Sequence, residues 1–222
     1  MTFFKVFKLF YLFGLGFLFL HFFQTPALAS VIFYDEFDDG DISDWVVVRN
    51  TCGDPYLVEG KVIFNVNTIG CFAELTPMEF SLGLNEDNYV YESDIYYLPG
   101  ETDGKFVFRY KDPLNFYWVQ IIHNGVYINK HVNGVGTEMT PSRPTFPSAP
   151  DNIYRFKIVY KTLETGRTIS LYVNDNPVAI DVEDPPPYFS GSNIAMGVST
   201  GADPILYTWF DNVLVCDSVS EP

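Results

Sequence analysis

The sequence predicts an all-β protein built as two packed antiparallel sheets, and three observations carry that reading. Short runs rich in Val, Ile, Tyr and Phe alternate apolar with polar residues, and Gly, Asn, Asp or Pro closes each run. After residue 29 no long segment keeps a helical period. Turn signals sit between the runs: Glu59-Gly60, Asn124-Gly125, Asn133-Gly134, and Asn174-Asp175-Asn176 ahead of Pro177. About a dozen short strands without helices leave packed sheets as the solution.

Residues 1–29 read as a leader outside the fold. Lys5 and Lys8 precede an apolar run from Leu9 to Phe23, and Ala27-Leu28-Ala29 closes it with the small-x-small pattern of a secretory cleavage site. A signal peptide of this form starts the mature chain at Ser30 and makes the protein secreted or displayed at the cell surface. The rival reading is an uncleaved tether, because the run approaches the ~20 residues that span a bilayer. Residues 30–222 then form a single domain.

Within that domain strands are expected over 31–37, 45–49, 56–66, 71–81, 89–97, 104–111, 115–123 and 126–131. They resume over 153–162, 167–175, 177–182, 192–199 and 205–216. Alternation assigns faces. In 89–97, Tyr89, Tyr91, Ser93 and Ile95 oppose Val90, Glu92, Asp94 and Tyr96, and the carboxylates turn their set outward. In 105–110, Phe106, Phe108 and Tyr110 face the core, while Lys105, Val107 and Arg109 face solvent. In 116–122, Gln120 tips Phe116, Trp118 and Ile122 outward with it. The connection "GTEMTPSRPTFPSAPDN" carries Pro141, Pro144, Pro147 and Pro150, a spacing that favours an extended path. It reads as a crossover between sheets, or as a ligand-binding rim.

The chain holds 28 acidic and 13 basic residues, a net charge of −15. The leader contributes two of the bases and no acid, so the mature balance is 11 − 28 = −17. That charge repels phosphate backbones and argues against nucleic acid as a partner. Cys52 and Cys71 flank neighbouring strands, and export permits a disulfide between them worth about 3 kcal/mol. Cys216 is left over, either buried or available for an intermolecular pair. A zinc cluster is a poor alternative, because His123 and His131 have no spacing partner among the cysteines.

Four segments then fall in a familiar order: "FYDEFDDGDISDWVVV", "FVFRYKDPLNFYWVQI", "YRFKIVYK…ISLYVNDNPV" and "NIAMGVSTG…YTWFDNVLV". Together they resemble the concanavalin A-like lectin/glucanase jelly roll, in its laminin-G-like or 3-keto-disaccharide-hydrolase-like branch, over nearly all of residues 31–216. The resemblance implies two curved antiparallel sheets with the N- and C-terminal strands side by side. It also implies a glycan site on the concave face or its rim, in a superfamily that holds several hydrolases, so fold does not settle function.

If the strands at 89–97, 104–111 and 115–123 are neighbours, one open face carries Glu92, Asp94, Tyr96, Arg109, Trp118 and Gln120. Such a mixture suits a polysaccharide or glycoconjugate, with an aromatic ring for the sugar's apolar face and polar groups for its hydroxyls. The plainer alternative is a solvated sheet in which Glu92 or Asp94 pairs with Arg109, worth ~0.2–1 kcal/mol.

"ESDIYY" resembles the first half of the Glu-x-Asp-x-Glu strand of β-glucanases. A retaining glycosidase needs a second carboxyl about 5–5.5 Å from the first. Positions 96 and 97 are both tyrosine, whose ordinary pKa near 10 suits it poorly to shuttle protons there. No Gly-x-Ser-x-Gly turn marks a serine nucleophile. The expectation is therefore a non-catalytic binding or adhesion module. The alternative is a secreted carbohydrate-active hydrolase of the glycoside or 3-keto-disaccharide type. Finally, "YDEFDDGDISDW" concentrates acids, and the resembling fold often ties its first strand to its last with a structural calcium. That implies Glu36 or Asp38 with Asp211 as ligands, against an acidic turn that caps its own backbone.

Overall fold

The computed structural model describes residues 30–66, 70–78, 88–97, 103–122, 125–147, 152–188, 191–199 and 206–217. The leader, His123 and Pro150 lie outside the described residues. The strands run in order as β1 (Val31–Asp35), β2 (Trp45–Asn50), β3 (Tyr56–Val58), β4 (Lys61–Val66) and β5 (Phe72–Pro77). Next come β6 (Asn88–Tyr97), β7 (Asp103–Asp112), β8 (Asn115–Ile122), β9 (Gly125–Val132) and β10 (Val135–Glu138). The last are β11 (Asn152–Leu163), β12 (Gly166–Val173), β13 (Asn176–Asp184), β14 (Asn193–Ser199) and β15 (Leu206–Cys216).

They form two antiparallel sheets. The first has the order β13-β12-β11-β6-β15-β4-β3, with β1 also paired to β15, and the second has the order β10-β9-β8-β7-β14-β5-β2. The N- and C-terminal strands therefore lie side by side, with Phe33 opposite Val215 and Asp35 opposite Val213. The expected strand at 56–66 is a hairpin, split at Glu59 and Gly60, which take positive φ of 50° and 72°. The proline-rich connection is the crossover between sheets, leaving β10 and arriving at β11. It is pinned on the way: Val126 N donates to Pro144 O at 2.9 Å, and Phe146 is buried in the core.

Period-two alternation builds the core. Tyr89, Tyr91 and Ile95 of β6, Phe106 and Phe108 of β7, and Tyr117, Val119 and Ile121 of β8 all point between the sheets and are buried. The buried phenols are largely satisfied. Tyr91 OH donates to Ala195 O at 3.3 Å, while Tyr117 and Tyr160 donate to Asp184 at 2.8 and 3.2 Å. Lys130 Nζ lies 2.7 Å from the same Asp184 carboxylate, a buried ion pair between sheets. Cys52 and Cys71 form the expected disulfide, joining the end of β2 to the start of β5, and Cys216 is free and buried.

Two expectations about faces are overturned. First, β6 belongs to the first sheet and β7 and β8 to the second, so Glu92, Asp94 and Tyr96 face away from Trp118 and Gln120 on opposite sides of the sandwich. Second, Arg109 is not on an open face. It adopts a positive φ of 51°, and the ladders on both sides slip there, between Phe108 and Asp112 and between Asn193 and Ala195. A β-bulge of this kind re-aims a side chain. The Arg109 side chain turns inward and is 0% exposed, with its guanidinium 4.9 Å from the Tyr160 ring centroid. Gly191 permits the bulge, because a Cβ there would fall 1.9 Å from Arg109 O.

Candidate functional site

The outward face of the second sheet collects the chemistry. Register aligns Arg49 with Glu74, Glu74 with Gly197, Gly197 with Lys105, Lys105 with Gln120, and Gln120 with Tyr127. These residues make one continuous polar row across β2, β5, β14, β7, β8 and β9. The neighbouring row runs from Ala195 to Val107, Trp118, Asn129 and Glu138. Beyond it lie His131 and Phe116, paired across β9 and β8. Ala195, Val107, Phe116 and Tyr110 form a small apolar cluster on this face, and Trp118 packs against it half-buried.

Local contacts fix these groups. Trp118 Nε1 donates to Gln120 Oε1 at 3.2 Å, and Gln120 Nε2 donates to Ser199 Oγ at 3.4 Å. His131 meets the Trp118 ring edge-on, with centroids 4.7 Å apart. Arg49 lies 4.7 Å over the Phe72 ring and reaches Glu74 at 3.4 Å. Glu74 is fully buried, lying close over Gly197, where a Cβ would come within 2.9 Å of Glu74 Cγ. Burial first, then the positive charges of Arg49 and Lys105, hold the His131 imidazole below its ordinary 6.5. Three buried polar atoms on this face have no partner: Glu74 Oε2, Asn129 Nδ2 and His131 Nδ1.

The outward face of the first sheet is different, because Asp94 and Tyr96 are already engaged there. Asp94 accepts a bidentate pair of hydrogen bonds from Arg155 at 2.9 and 3.2 Å and a third from Asn212 at 2.9 Å. Tyr96 stacks on Trp209 with centroids 5.2 Å apart and planes 5° apart, and Lys61 Nζ lies 5.2 Å over the same indole. Burial raises the Glu92 pKa, opposed by the charges of Lys157 and Arg155. The carboxylates of "ESDIYY" thus sit beside tied-down cations and stacked rings; the acid in register with them is Asp211 of β15, opposite Asp94, which accepts from its neighbour Asn212 N.

The acidic turn also satisfies itself. Asp35 accepts from Phe37 N and Trp45 Nε1, Asp39 from Asp41 N, and Asp41 from Ser43 N and Oγ. Of the expected calcium ligands, Glu36 accepts from Tyr34 OH and Asp211 from Asn212 N. Asp38 and Asp211 are close enough for the negative charge of Asp38 to raise the Asp211 pKa, though burial is the larger cause. Among the described residues no three His, Cys, Asp or Glu side chains converge as a metal cage needs, while the negative charges of Glu36, Asp211 and Asp38 all act on Tyr34.

No protein-family model and no curated protein matches the chain. Solved structures do match. A carbohydrate-binding module, CBM66, from Bacillus subtilis is similar at 23% identity over 78% of this chain and 95% of its own, with a TM-score of 0.55. A protein of unknown function with a galectin-like fold, also from Bacillus subtilis, aligns over 86% of this chain and 98% of its own at 11% identity and a TM-score of 0.62. Domain 4 of AbnA, a GH43 extracellular arabinanase from Geobacillus stearothermophilus solved with arabinotriose, covers 86% of this chain and 93% of its own at 14% identity and a TM-score of 0.51. The fold is the lectin-like jelly roll. In this lectin-like frame the sequence singled out Trp118 and Gln120 on the face just described. It missed Arg49, Glu74, Asn129 and His131, although alternation in 72–76 and 127–131 places Glu74, Asn129 and His131 outward.

Proposed function

We propose that this chain is an exported, non-catalytic carbohydrate-binding module that holds a glycan against the outward face of the second sheet. One observation carries the reading. The half-exposed Trp118 is flanked by two buried side-chain nitrogens without partners, Asn129 Nδ2 opposite it on β9 and His131 Nδ1 beside its ring edge. A buried polar group left unpaired costs about 1–3 kcal/mol. A sugar ring relieves that cost with its hydroxyls while its C–H face packs on the indole. Lectin-like neighbours that include a carbohydrate-binding module and an arabinotriose complex support the reading.

Hydrolysis is the less supported alternative. Either glycosidase geometry needs two carboxyl groups about 5–9.5 Å apart across the scissile bond. Among the described side chains of this face, Glu74 is tied to Arg49, and both Glu138 oxygens accept from Arg143, through its Nε and Nη2 at 3.1 Å. The test incubates residues 30–222 with a panel of insoluble polysaccharides and measures both protein depleted from solution and reducing ends released. Depletion without released sugar is expected, and Trp118→Ala abolishes it. Retention that survives Trp118→Ala removes the site, and released sugar makes the protein a hydrolase.

A further inference from the structure

A second site lies at the far edge of the first sheet. The ends of β12 and β13, with the residues after β13, enclose a cleft of about 490 Å³. That lies within the ~300–1,000 Å³ of small-molecule sites. All its lining residues fall within 163–188, so it shares none with the face around Trp118.

The floor of the cleft is fixed. Asp184 is held by Lys130, Tyr117 and Tyr160 together. Arg167, opposite Asp184 across the ladder, donates to Tyr160 OH at 3.4 Å and lies 4.6 Å over the Tyr188 ring. Lys130 reaches the same ring at 5.6 Å and donates to Pro185 O, so Tyr188 is clamped as a side wall. Leu163 offers an apolar surface, 49% exposed. Thr168 also lines the cleft. It is 8% exposed, and its hydroxyl is buried without a hydrogen-bond partner. An orphan hydroxyl in a polar cleft calls for an explanation, and a ligand atom would supply one.

The lining chemistry narrows the ligand. A metal ion is disfavoured, because among the described residues no three ligating side chains converge. An anion is disfavoured too. With Asp184 neutralised by Lys130, the lining still holds Asp181 and Glu183 against Arg167. A wholly apolar molecule would leave the Thr168 hydroxyl unpaired. A neutral polyol fits: its hydroxyls pair with Thr168 and donate to the carboxylates, while its C–H face lies on Leu163. We infer that this cleft is a second saccharide site, taking a single neutral sugar ring independently of the sheet face.

The test is to titrate the isotopically labelled mature chain with D-glucose, D-galactose, D-fructose and L-arabinose in turn, following backbone amides. At least one sugar gives saturable shifts at Gly166, Arg167 and Thr168, and the Trp118→Ala variant keeps them. Thr168→Val preserves shape and weakens binding about tenfold, one neutral hydrogen bond's worth. Its melting temperature does not fall, since it removes an unsatisfied hydroxyl. Shifts at none of these amides, or an affinity unchanged by Thr168→Val, overturns the site. Shifts that vanish in Trp118→Ala reduce it to an echo of the sheet face. If Trp118→Ala retains both polysaccharide binding and these shifts, the cleft stands and the reading of the sheet face falls.

Discussion

Replacing Arg109 with methionine should stabilise the protein. The guanidinium is 0% exposed, and its Nε, Nη1 and Nη2 are buried without hydrogen-bond partners. The one buried acid of this network, Asp184, is already shared among Lys130, Tyr117 and Tyr160, so the interior here holds two cations against one anion. Burial and the negative charge of Asp184 raise the phenols above their ordinary value, Tyr160 to about 12, so none supplies a compensating tyrosinate. Against each unpaired donor stands a cost of about 1–3 kcal/mol. The contact with the Tyr160 ring returns about 2 kcal/mol in this desolvated setting. Exchanging buried ions for apolar side chains of similar volume gains ~1–4 kcal/mol in other proteins. The balance predicts that Arg109→Met gains roughly 1–3 kcal/mol. For a domain of this size that raises the melting temperature by about 2–4 °C per kcal/mol. Guanidinium titration with and without the substitution measures it at 25 °C. A loss of stability beyond ~1 kcal/mol would show that the charge is compensated inside the fold and that Arg109 helps to hold Asp184, refuting the charge count.

Three further outcomes follow from other parts of the molecule. Cys52→Ser with Cys71→Ser opens a cross-link of sequence separation 19. The chain-entropy relation makes that worth about 3 kcal/mol, so calorimetry should show a fall of roughly 6–12 °C, and a fall under ~2 °C would mean the unfolded chain is barely constrained by the bridge. For His131 the folded pKa is lowered from 6.5. The unfolded state then binds more protons, and this contribution is complete above the unfolded value and lost as pH falls through it toward the folded one. His131→Gln should flatten that part of the melting-temperature profile, and an identical slope in the variant would exonerate the histidine. Melting in EDTA tests the calcium expected at Glu36, Asp38 and Asp211, and an unchanged curve would count against it. A marked fall would support calcium there and require Glu36 and Asp211 to share the ion with, or turn from, Tyr34 OH and Asn212 N.

What the sequence made legible, and what it hid, follows from the geometry of strands. Side chains alternate with period two, so in-or-out could be read along each strand separately. Phe106, Phe108, Tyr117 and Val119 are in the core, and Trp118, Gln120, Glu92 and Asp94 are outside it, as alternation requires. Alternation fails where one residue is inserted into the ladder, and the bulge at Arg109 carries no signature in "FVFRYKD" beyond the residue that it re-aims. Sheet membership is a different kind of information. Nothing in the pattern of β6 or β7 records that the chain changes sheets between them, so Glu92 and Trp118 read as companions while facing opposite ways. The candidate face is assembled across strands, not along them. Glu74, Gly197, Lys105 and Gln120 come from four strands and become one row only when the register closes. Sequence alternation can therefore nominate the components of such a face. Only the strand order decides which nominees meet, and here it joins Trp118 to Asn129 and His131 while sending the paired carboxylates of "ESDIYY" to a surface where arginine and asparagine already occupy Asp94.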